Sequence, residues 1–398
     1  MAFSVKTNVV ECESFETFCR EWNIGEKDLV ITEFDVLKNA AKKWDIGERD
    51  LVAANKCVPK IDGKPLPCKV LFQNAYGKGE PTDEMIDAML SACETQSREE
   101  GKIYERVIAI GGGSIIDIAK LFVFGDGLRC AEIFEKGAAL PRKRKLVVIP
   151  TTCGTGSEVT NISIVAFIKK QTKQGLAIPA LFPDEAVLIG SVLNGLPYEV
   201  FATSSIDALI HAAESYISPK ANAFTRSLGR SAIELILQGY GILAEKNHSR
   251  KEKTLPDDLS PFLKASTMAG IAFGNAGVGA VHALSYPIGA IYHVPHGMAN
   301  YMLFEKVFEA YRRLNADLSP LEEILVRIMN CSRSDVWEKF FSLLSTILTL
   351  KPLRTLGVTE ANCKEMAASV IKLQQRLLVN NPISLSQGDI ESIYRSCL

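Results

Sequence analysis

The sequence of 398 residues lacks the features that mark exported, membrane or nucleic-acid-binding proteins. Its ten cysteines form no CxxC pair, which argues against a zinc ribbon or a disulfide framework and favours reduced thiols. Nowhere do 18 apolar residues follow one another, so no membrane helix is expected. Lys and Arg number 45 against 46 Asp and Glu, and no basic stripe carries interleaved aromatic residues, so we expect no nucleic-acid partner. The N-terminal residues include acidic side chains and no basic segment followed by an apolar run, so we expect a cytoplasmic protein.

The distribution of apolar residues changes at Pro197. Before it, from about Asp28 to Gly190, short β-branched runs alternate with amphipathic helical patterns, which predicts a parallel, doubly wound sheet. The predicted strands are DLVIT (28–32), KVLF (69–72), RVIAI (106–110), KLVVI (145–149) and AVLI (186–189), and the predicted helices include 82–96, 198–217, 224–245 and 336–350. A chain of 398 residues is longer than one hydrophobic core usually accommodates, so two domains are expected. We therefore predict an α/β domain over residues 1–196 and an all-helical domain over residues 197–398.

A short duplication lies near the N-terminus. The stretch WNIGEKDLV (22–30) returns as WDIGERDLV (44–52), and two copies are too few for a repeat array. Residues 53–67 contain three prolines and are predicted to form a surface loop.

Two polar, glycine-rich turns follow neighbouring predicted strands and form a candidate nucleotide site. In RVIAIGGGSIIDIAK (106–120) a strand leads through bare glycines into a helix, which places backbone N–H groups and a helix N-terminus where a phosphate binds. The stretch IPTTCGTGSEVTN (149–161) supplies hydroxyls at the next strand end. The alternative is that these residues are ordinary turn formers and helix caps. The candidate cofactor-binding residues here are Gly111, Gly112, Gly113, Ser114, Asp117, Thr151, Thr152 and Ser157.

Four of the five histidines fall in two short segments. In SSIDALIHAAESY, Asp207 and His211 lie at i and i+4, with Glu214 at i+7, so all three project from one stripe of a helix. A carboxylate and an imidazole one turn apart make half of a metal site. The alternative for any single histidine is an ordinary structural role.

The second segment, VHALSYPIGAIYHVPHGMAN (281–300), holds the remaining candidates. His282 and His296 are separated by a stretch that we expect Pro287 and Gly289 to break, so both imidazoles can return to one point. With Asp207 and His211 they form a set suited to Fe²⁺ or Zn²⁺. Bound there, a metal would act as a Lewis acid on an alcohol or carbonyl oxygen while hydride passes to or from a nicotinamide.

These motifs resemble those of the iron-dependent, or group III, alcohol dehydrogenases over nearly the whole chain. The most specific are GEPTDE (79–84), GGGSIIDIAK (111–120), PTTCGTGSEVT (150–160) and DALIHAAESY (207–216). The resemblance implies a dinucleotide-binding domain followed by a helical metal- and substrate-binding domain, and commonly a homodimer. It also implies that Asp207, His211, His282 and His296 bind the metal, and that the GGGS and PTT turns bind NAD(P).

Two departures from the family pattern bear on the chemistry. Many members have a histidine four residues after the histidine that matches His282, whereas this chain has Tyr286. Tyr286 is therefore a candidate for the proton relay or for shaping the pocket, and His293 is a second candidate for the relay. After the first strand the chain has Glu33, an acidic group that repels a 2′-phosphate and favours NAD(H) over NADP(H). Asp35 is the rival for that role.

Within the family, the sequence looks most like the 4-hydroxybutyrate dehydrogenases, which interconvert 4-hydroxybutyrate and succinate semialdehyde. The similar stretches are 203–222, 270–289 and QQRLLVNN (374–381). A substrate with a distal carboxylate needs a cationic partner, and Arg376 is the candidate, although such an arginine often reaches into solvent instead. Three alternatives remain: a group III dehydrogenase for another short-chain alcohol or diol, an enzyme related to dehydroquinate synthase, and a degenerate NAD- and metal-binding relative.

Overall fold

The structure is a computed structural model, and it describes residues 3–40, 44–45, 60–61, 64–65, 68–170, 172–248, 250 and 252–398. These residues divide into two compact units. An α/β unit consists of the described residues of Val5–Thr152 and Ser157–Leu196, and a helical unit consists of those up to Ser4, Cys153–Gly156 and the described residues of Pro197–Leu398. The short segment Cys153–Gly156 thus leaves the α/β part of the sequence and belongs with the helices. The predicted domain limits, 1–196 and 197–398, stay a prediction.

The α/β unit is built on a parallel sheet of six strands in the order β1-β11-β8-β7-β2-β6. The strands in the described residues are β1 (Asn8–Glu11), β2 (Asp28–Thr32), β3 (Trp44–Asp45), β4 (Lys60–Ile61), β5 (Lys64–Pro65), β6 (Lys69–Phe72), β7 (Arg106–Gly111), β8 (Lys145–Pro150), β9 (Ile162–Phe167), β10 (Thr172–Ala177) and β11 (Glu185–Leu188). Strands β9 and β10 form an antiparallel hairpin, and β3, β4 and β5 form a small antiparallel sheet.

The central strands are buried on both faces, which is why they read as nearly continuous apolar runs. Every residue of β2 is buried, as are five of the six in β7. The helices in the described residues of this unit are α1 (Phe15–Glu21), α2 (Phe34–Ala40), α3 (Asp83–Glu100), α4 (Gly113–Leu121) and α5 (Cys130–Lys136). The predicted α/β fold with a parallel sheet is confirmed.

The order of the strands creates a switch point between β2 and β7. From β2 the chain continues to β6 on one side, whereas from β7 it continues to β8 on the other. The connections therefore leave the carboxyl ends of these two neighbours in opposite directions, and ligands of open α/β sheets bind in the crevice that results.

The helical unit contains no strand in the residues that the structure describes. Its helices are α6 (Tyr198–Ile217), α7 (Ala223–Asn247), α8 (Ser260–Ala276), α9 (Ala280–Tyr292), α10 (His296–Arg313), α11 (Ser319–Met329), α12 (Val336–Ile347), α13 (Glu360–Leu373), α14 (Gln375–Leu378) and α15 (Gln387–Ser396). The predicted helical second half is confirmed. Across the described parts of the chain, no helix has both the length and the apolar character that crossing a membrane requires.

The expected break at Pro287 and Gly289 is wrong. Helix α9 runs through both residues, and the chain turns only at His293, whose φ of 54° is left-handed. Pro287 removes one helical hydrogen bond, but it is buried with Ile288 and most of the first two turns of the helix. Packing of this apolar face outweighs the local preference of proline.

Part of the N-terminal duplication lies outside the described residues. The first copy, 22–30, covers the turn before β2 and the start of that strand, whereas only the first two residues of the second copy are described, as β3. Within the predicted loop 53–67 the described residues are those of β4 and β5.

Candidate metal centre and cofactor-binding turns

Helix α6 carries two of the four candidate metal ligands. Asp207 and His211 are one turn apart, so their side chains project from the same face of the helix. Both are buried, with 2% and 4% of their surface exposed. Burial of a charged carboxylate costs free energy unless the charge is paired, so Asp207 needs further partners at this face of the helix.

Those partners come from the two following helices. His282 is the third residue of α9, and His296 is the first residue of α10, directly after Pro295. Asp207 Oδ1 is 3.8 Å from His282 Nε2 and 4.0 Å from His296 Nε2. One ligand atom from each of Asp207, His211, His282 and His296 lies within 4.8 Å of the others. The structure thus brings all four predicted residues together.

The donor atoms of this cluster fit a divalent cation. His282 Nε2 is buried and has no hydrogen-bond partner among the described residues. A buried polar atom without a partner is expensive, and a cation coordinated by the cluster would remove that cost. Three imidazoles and one carboxylate are the ligand types that Fe²⁺ and Zn²⁺ accept.

The electrostatics of the cluster keep Asp207 and His211 in the forms that bind metal. Burial, reinforced by the neighbouring histidines, lowers the pKa of His211 to about 3, so this imidazole is neutral. Burial alone would raise the pKa of Asp207, but the facing histidines and a hydrogen bond from Asn300 outweigh it and lower that pKa. Metal binding requires a neutral imidazole and an ionised carboxylate.

Contacts outside the cluster orient these side chains. The Nδ1 of His211 is 3.2 Å from the carbonyl oxygen of Gly154, and the Phe273 ring stacks on the same imidazole at 4.3 Å. Asn300 donates a hydrogen bond of 2.7 Å to Asp207 Oδ1. Sequence reasoning missed Gly154 and Asn300. The spacing offered a signal for Asn300, which lies four residues after His296 on α10, whereas the contact to Gly154 depends on a distant turn.

The cluster is accessible on one side. The side chain of His296 is 47% exposed, whereas that of Asp207 is 3% exposed. A catalytic metal site keeps a position open for the substrate, and a structural site is closed by protein ligands. The exposed edge at His296 is typical of the catalytic kind.

The remaining predicted residues of this unit fall into two groups. Tyr286 lies one turn after His282 on α9, and Arg376 on α14 donates a hydrogen bond of 3.2 Å to its hydroxyl oxygen. These two candidates, which the sequence did not connect, therefore meet. His293 is exposed at the end of α9 and is not a member of the cluster of four.

The candidate cofactor turns lie in the α/β unit at its switch point. Glu33 follows β2 directly, and Gly112 and Gly113 join β7 to α4. Gly112 is the N-cap of α4, and no side chain of this residue accepts a hydrogen bond from the first turn. The N–H groups of that turn are therefore available to bind an anion. The Thr151 N–H donates a hydrogen bond of 3.1 Å to the Gly111 carbonyl, which joins the two predicted turns.

Packing explains the glycines in this turn. A Cβ on Gly111 would lie 2.5 Å from the Ile115 side chain, and a Cβ on Gly112 would lie 3.1 Å from Thr152 Cγ2. Burial raises the pKa of the nearby Glu33 carboxyl, and the Asp35 charge adds to this rise.

Two predicted cofactor residues, Asp117 and Ser157, belong to a buried network that sequence reasoning did not anticipate. Lys120 is fully buried and donates hydrogen bonds to Ser157 Oγ at 2.7 Å and to the Ile162 carbonyl at 2.6 Å. Asp117 accepts from Ser157 Oγ at 2.7 Å and from the Ile164 N–H at 2.9 Å. Burial lowers the pKa of Lys120 to about 8 despite the Asp117 charge. The network ties α4 to the second turn, and a direct contact of Asp117 or Ser157 with a cofactor stays a prediction.

A parallel sheet with a glycine-rich turn at its switch point, together with a helical unit bearing an aspartate and three histidines, is typical of metal-dependent dehydrogenases. Comparison with known families identifies the class. Residues 49–189 match the iron-containing alcohol dehydrogenase family, and residues 201–398 match the C-terminal region of the same Fe-containing family. The chain is 45% identical to the 4-hydroxybutyrate dehydrogenase of Clostridium kluyveri over 327 residues. This match covers 82% of this chain and 85% of that protein. The chain therefore belongs to the iron-containing alcohol dehydrogenase family, and the predicted family and enzyme class are confirmed.

Solved structures agree with this assignment. The iron-containing alcohol dehydrogenase of Thermococcus thioreducens is 27% identical, with a TM-score of 0.75 over 100% of this chain and 99% of that one. The sulfoacetaldehyde reductase of Bifidobacterium kashiwanohense, solved in complex with NAD⁺, has a TM-score of 0.77 at 20% identity over 100% of this chain and 98% of that one. At that identity the second likeness concerns the fold alone.

Proposed function

We propose that this alcohol dehydrogenase uses NAD(H) and a divalent metal, Fe²⁺ or Zn²⁺, to interconvert 4-hydroxybutyrate and succinate semialdehyde. The observation that supports this choice of substrate is the contact between Arg376 and Tyr286. Tyr286 lies one helical turn after His282, a residue of the metal cluster. The 4-hydroxybutyrate dehydrogenase among the relatives supports the same choice.

Asp207, His211, His282 and His296 would hold the metal. A metal in such a site polarises the oxygen of the substrate and stabilises negative charge on it. The chain's own contribution is to fix the donors: Asn300 holds the carboxylate of Asp207, and the Gly154 carbonyl orients His211. The half-exposed edge at His296 is the side from which a substrate oxygen would approach.

The turns Gly111–Ser114 and Thr151–Thr152 would hold the dinucleotide. NAD(H) supplies the hydride acceptor or donor. The uncapped N-terminus of α4 would bind the pyrophosphate, and the absence of a side chain at Gly112 lets the phosphate approach the backbone. Glu33 follows β2 at the switch point, where its carboxylate would accept hydrogen bonds from a ribose and repel a 2′-phosphate.

Tyr286 and Arg376 would act on the two ends of the substrate. Tyr286 lies about 6 Å along the helix axis from His282, at 1.5 Å per residue, so its hydroxyl can take part in proton transfer near the cluster. The exposed Arg376 guanidinium has donors left over after its bond to Tyr286, and these would bind the distal carboxylate. His293 is the second candidate for the proton relay, on the exposed side of the α9–α10 turn.

We further propose that the enzyme works in the cytoplasm as a homodimer. The nine cysteines in the described residues are all free, which suits a reducing compartment. Strand β1 lies at the edge of the six-stranded sheet and is largely exposed, so its outer edge is available to pair with another chain. Light scattering of the purified protein tests the dimer, and a mass of 43.6 kDa at all concentrations would contradict it.

The central experiment follows oxidation of NADH and NADPH by protein loaded anaerobically with Fe²⁺ or Zn²⁺. The two substrates are succinate semialdehyde and butyraldehyde, which lacks the distal carboxylate. We expect a strong preference for succinate semialdehyde with NADH. Equal use of butyraldehyde would remove the carboxylate site and leave a dehydrogenase of another short-chain alcohol, and no turnover with either would favour a degenerate relative.

A further inference from the structure

Glu214 is a buried carboxylate beside the metal cluster but not a member of it. It lies on α6 three residues after His211, and 2% of its surface is exposed. Both of its oxygens have partners on the first turn of α9. Oε1 accepts a hydrogen bond of 2.7 Å from the Val281 N–H, and Oε2 is 2.6 Å from His282 Nδ1. Glu214 thus contacts the backbone and the side chain of the same turn.

The contact of Glu214 with Nδ1 determines which nitrogen of His282 carries the proton and which carries the lone pair. An ionised carboxylate only accepts hydrogen bonds, so His282 Nδ1 must carry a proton. In the neutral ring the other nitrogen, Nε2, is then unprotonated. Nε2 is the atom that lies 3.8 Å from Asp207 Oδ1 and has no hydrogen-bond partner among the described residues. The tautomer held by Glu214 is therefore the one that can bind a cation.

The backbone before α9 fits closely against the carboxylate. A Cβ on Gly279 would lie 3.2 Å from Glu214 Oε1 and 2.6 Å from Asn381 Oδ1. Tyr311 donates a hydrogen bond of 2.8 Å to the same Asn381 oxygen. The glycine allows the turn to approach Glu214, so that the Val281 N–H and His282 reach it together.

We propose that Glu214 is a positioning residue that fixes His282 in the Nδ1-protonated tautomer, in which the lone pair of Nε2 is available to the divalent metal. Orientation of a metal-bound histidine by a carboxylate changes metal affinity by about 10–100-fold. The inference rests on the proposed metal centre and is independent of the proposed substrate.

The test is the substitution Glu214→Gln, which keeps the size of the side chain and removes its charge. We expect its affinity for Zn²⁺, measured by chelator competition, to fall about 10–100-fold below that of the parent protein. The matched control is Glu322→Gln on α11, which removes a carboxylate bonded to Arg333 and Trp337 in the same unit and is expected to leave Zn²⁺ affinity unchanged. Equal Zn²⁺ affinity in Glu214→Gln and the parent would overturn the proposal.

A second measurement does not depend on the folding of Glu214→Gln. Nitrogen-15 chemical shifts of labelled histidine in the metal-free parent report the tautomer of each ring, and His282→Gln assigns the signal. Measured at a pH high enough for the His282 ring to be neutral, its signal should show protonated Nδ1 and unprotonated Nε2, and the opposite tautomer would overturn the proposal. A parent protein that binds no Zn²⁺ would instead refute the metal centre itself, which separates the two failures.

Discussion

Replacing Arg376 with glutamine removes the cation that we assign to the distal carboxylate of the substrate. The Nη2 atom of Arg376 lies 3.2 Å from the Tyr286 hydroxyl oxygen, and the arginine side chain is exposed. A hydrogen bond between charged groups contributes about 1.5–3 kcal/mol, and screening by solvent places an exposed pair near the lower end. A loss of about 1.5–2 kcal/mol corresponds to a decrease of about 10- to 30-fold in kcat/KM, at 1.36 kcal/mol per decade.

The assay compares two aldehydes that differ in the distal carboxylate. With NADH and metal-loaded enzyme, Arg376→Gln should lose the predicted factor with succinate semialdehyde. With butyraldehyde it should stay within about twofold of the parent, a change of about 0.5 kcal/mol or less, because this aldehyde has no carboxylate for the guanidinium to bind. The matched control is Arg395→Gln, an exposed arginine on α15 that pairs with Glu391 and should affect neither substrate.

Two results would refute the reasoning about Arg376. If succinate semialdehyde and butyraldehyde lost activity equally, the arginine would act through Tyr286 rather than on the carboxylate. The variant Tyr286→Phe separates these cases, because it removes the hydroxyl and leaves the guanidinium in place. If kcat/KM for succinate semialdehyde did not fall, the carboxylate would bind elsewhere.

Three further substitutions test the metal ligands, the buried network and the choice of cofactor. His282→Ala should abolish turnover and weaken Zn²⁺ binding while NADH affinity, measured by fluorescence, stays unchanged; turnover by metal-free protein would contradict the role of the metal. Lys120→Met leaves the mostly buried Asp117 carboxylate without its cation and should lower the free energy of unfolding by about 3 kcal/mol in urea, and a loss below about 1 kcal/mol would contradict this. Glu33→Gln should raise the ratio of NADPH to NADH use about tenfold, because a like-charge contact near a surface costs about 1–4 kcal/mol. Asp35→Asn is its control, and a shift confined to that variant would transfer the role to Asp35.

The sequence predicted the central sheet well because its strands are buried on both faces. Strands β2 and β7 read as uninterrupted apolar runs, and this pattern needs no knowledge of the neighbours. Strand β1 was missed. Its four residues are largely exposed at the sheet edge, and only its pairing with β11 makes it a strand. The hairpin of β9 and β10 was missed as well, since only alternate residues of β9 are buried and no residue of β10 is.

The candidate site divides in the same way between local and distant information. Asp207 and His211 are four residues apart in one helix, and 3.6 residues per turn places them on the same face, so this part of the site can be predicted from the sequence. The approach of His282 and His296 to that pair depends on how α9 and α10 pack, and the sequence offered only the clustering of histidines. The break expected at Pro287 was wrong because burial of the helix decided its course, not the local preference of proline. The Gly154 carbonyl, contributed by a distant turn, had no local signal at all.

Each chemical part of the enzyme is contained within one unit, and this makes the proposed roles separable. The four ligands of the cluster, together with Gly154, Glu214 and Asn300, all belong to the helical unit. The turns at Glu33, Gly111–Ser114 and Thr151–Thr152 all belong to the α/β unit. His211 contacts Gly154 in the second turn, but His282 and His296 are not contributed by either turn, so substitution of these two should lower metal affinity without changing NADH affinity. A histidine variant that lost NADH binding along with metal would show that one ligand organises the site of the other, and the two roles would then have to be assigned together.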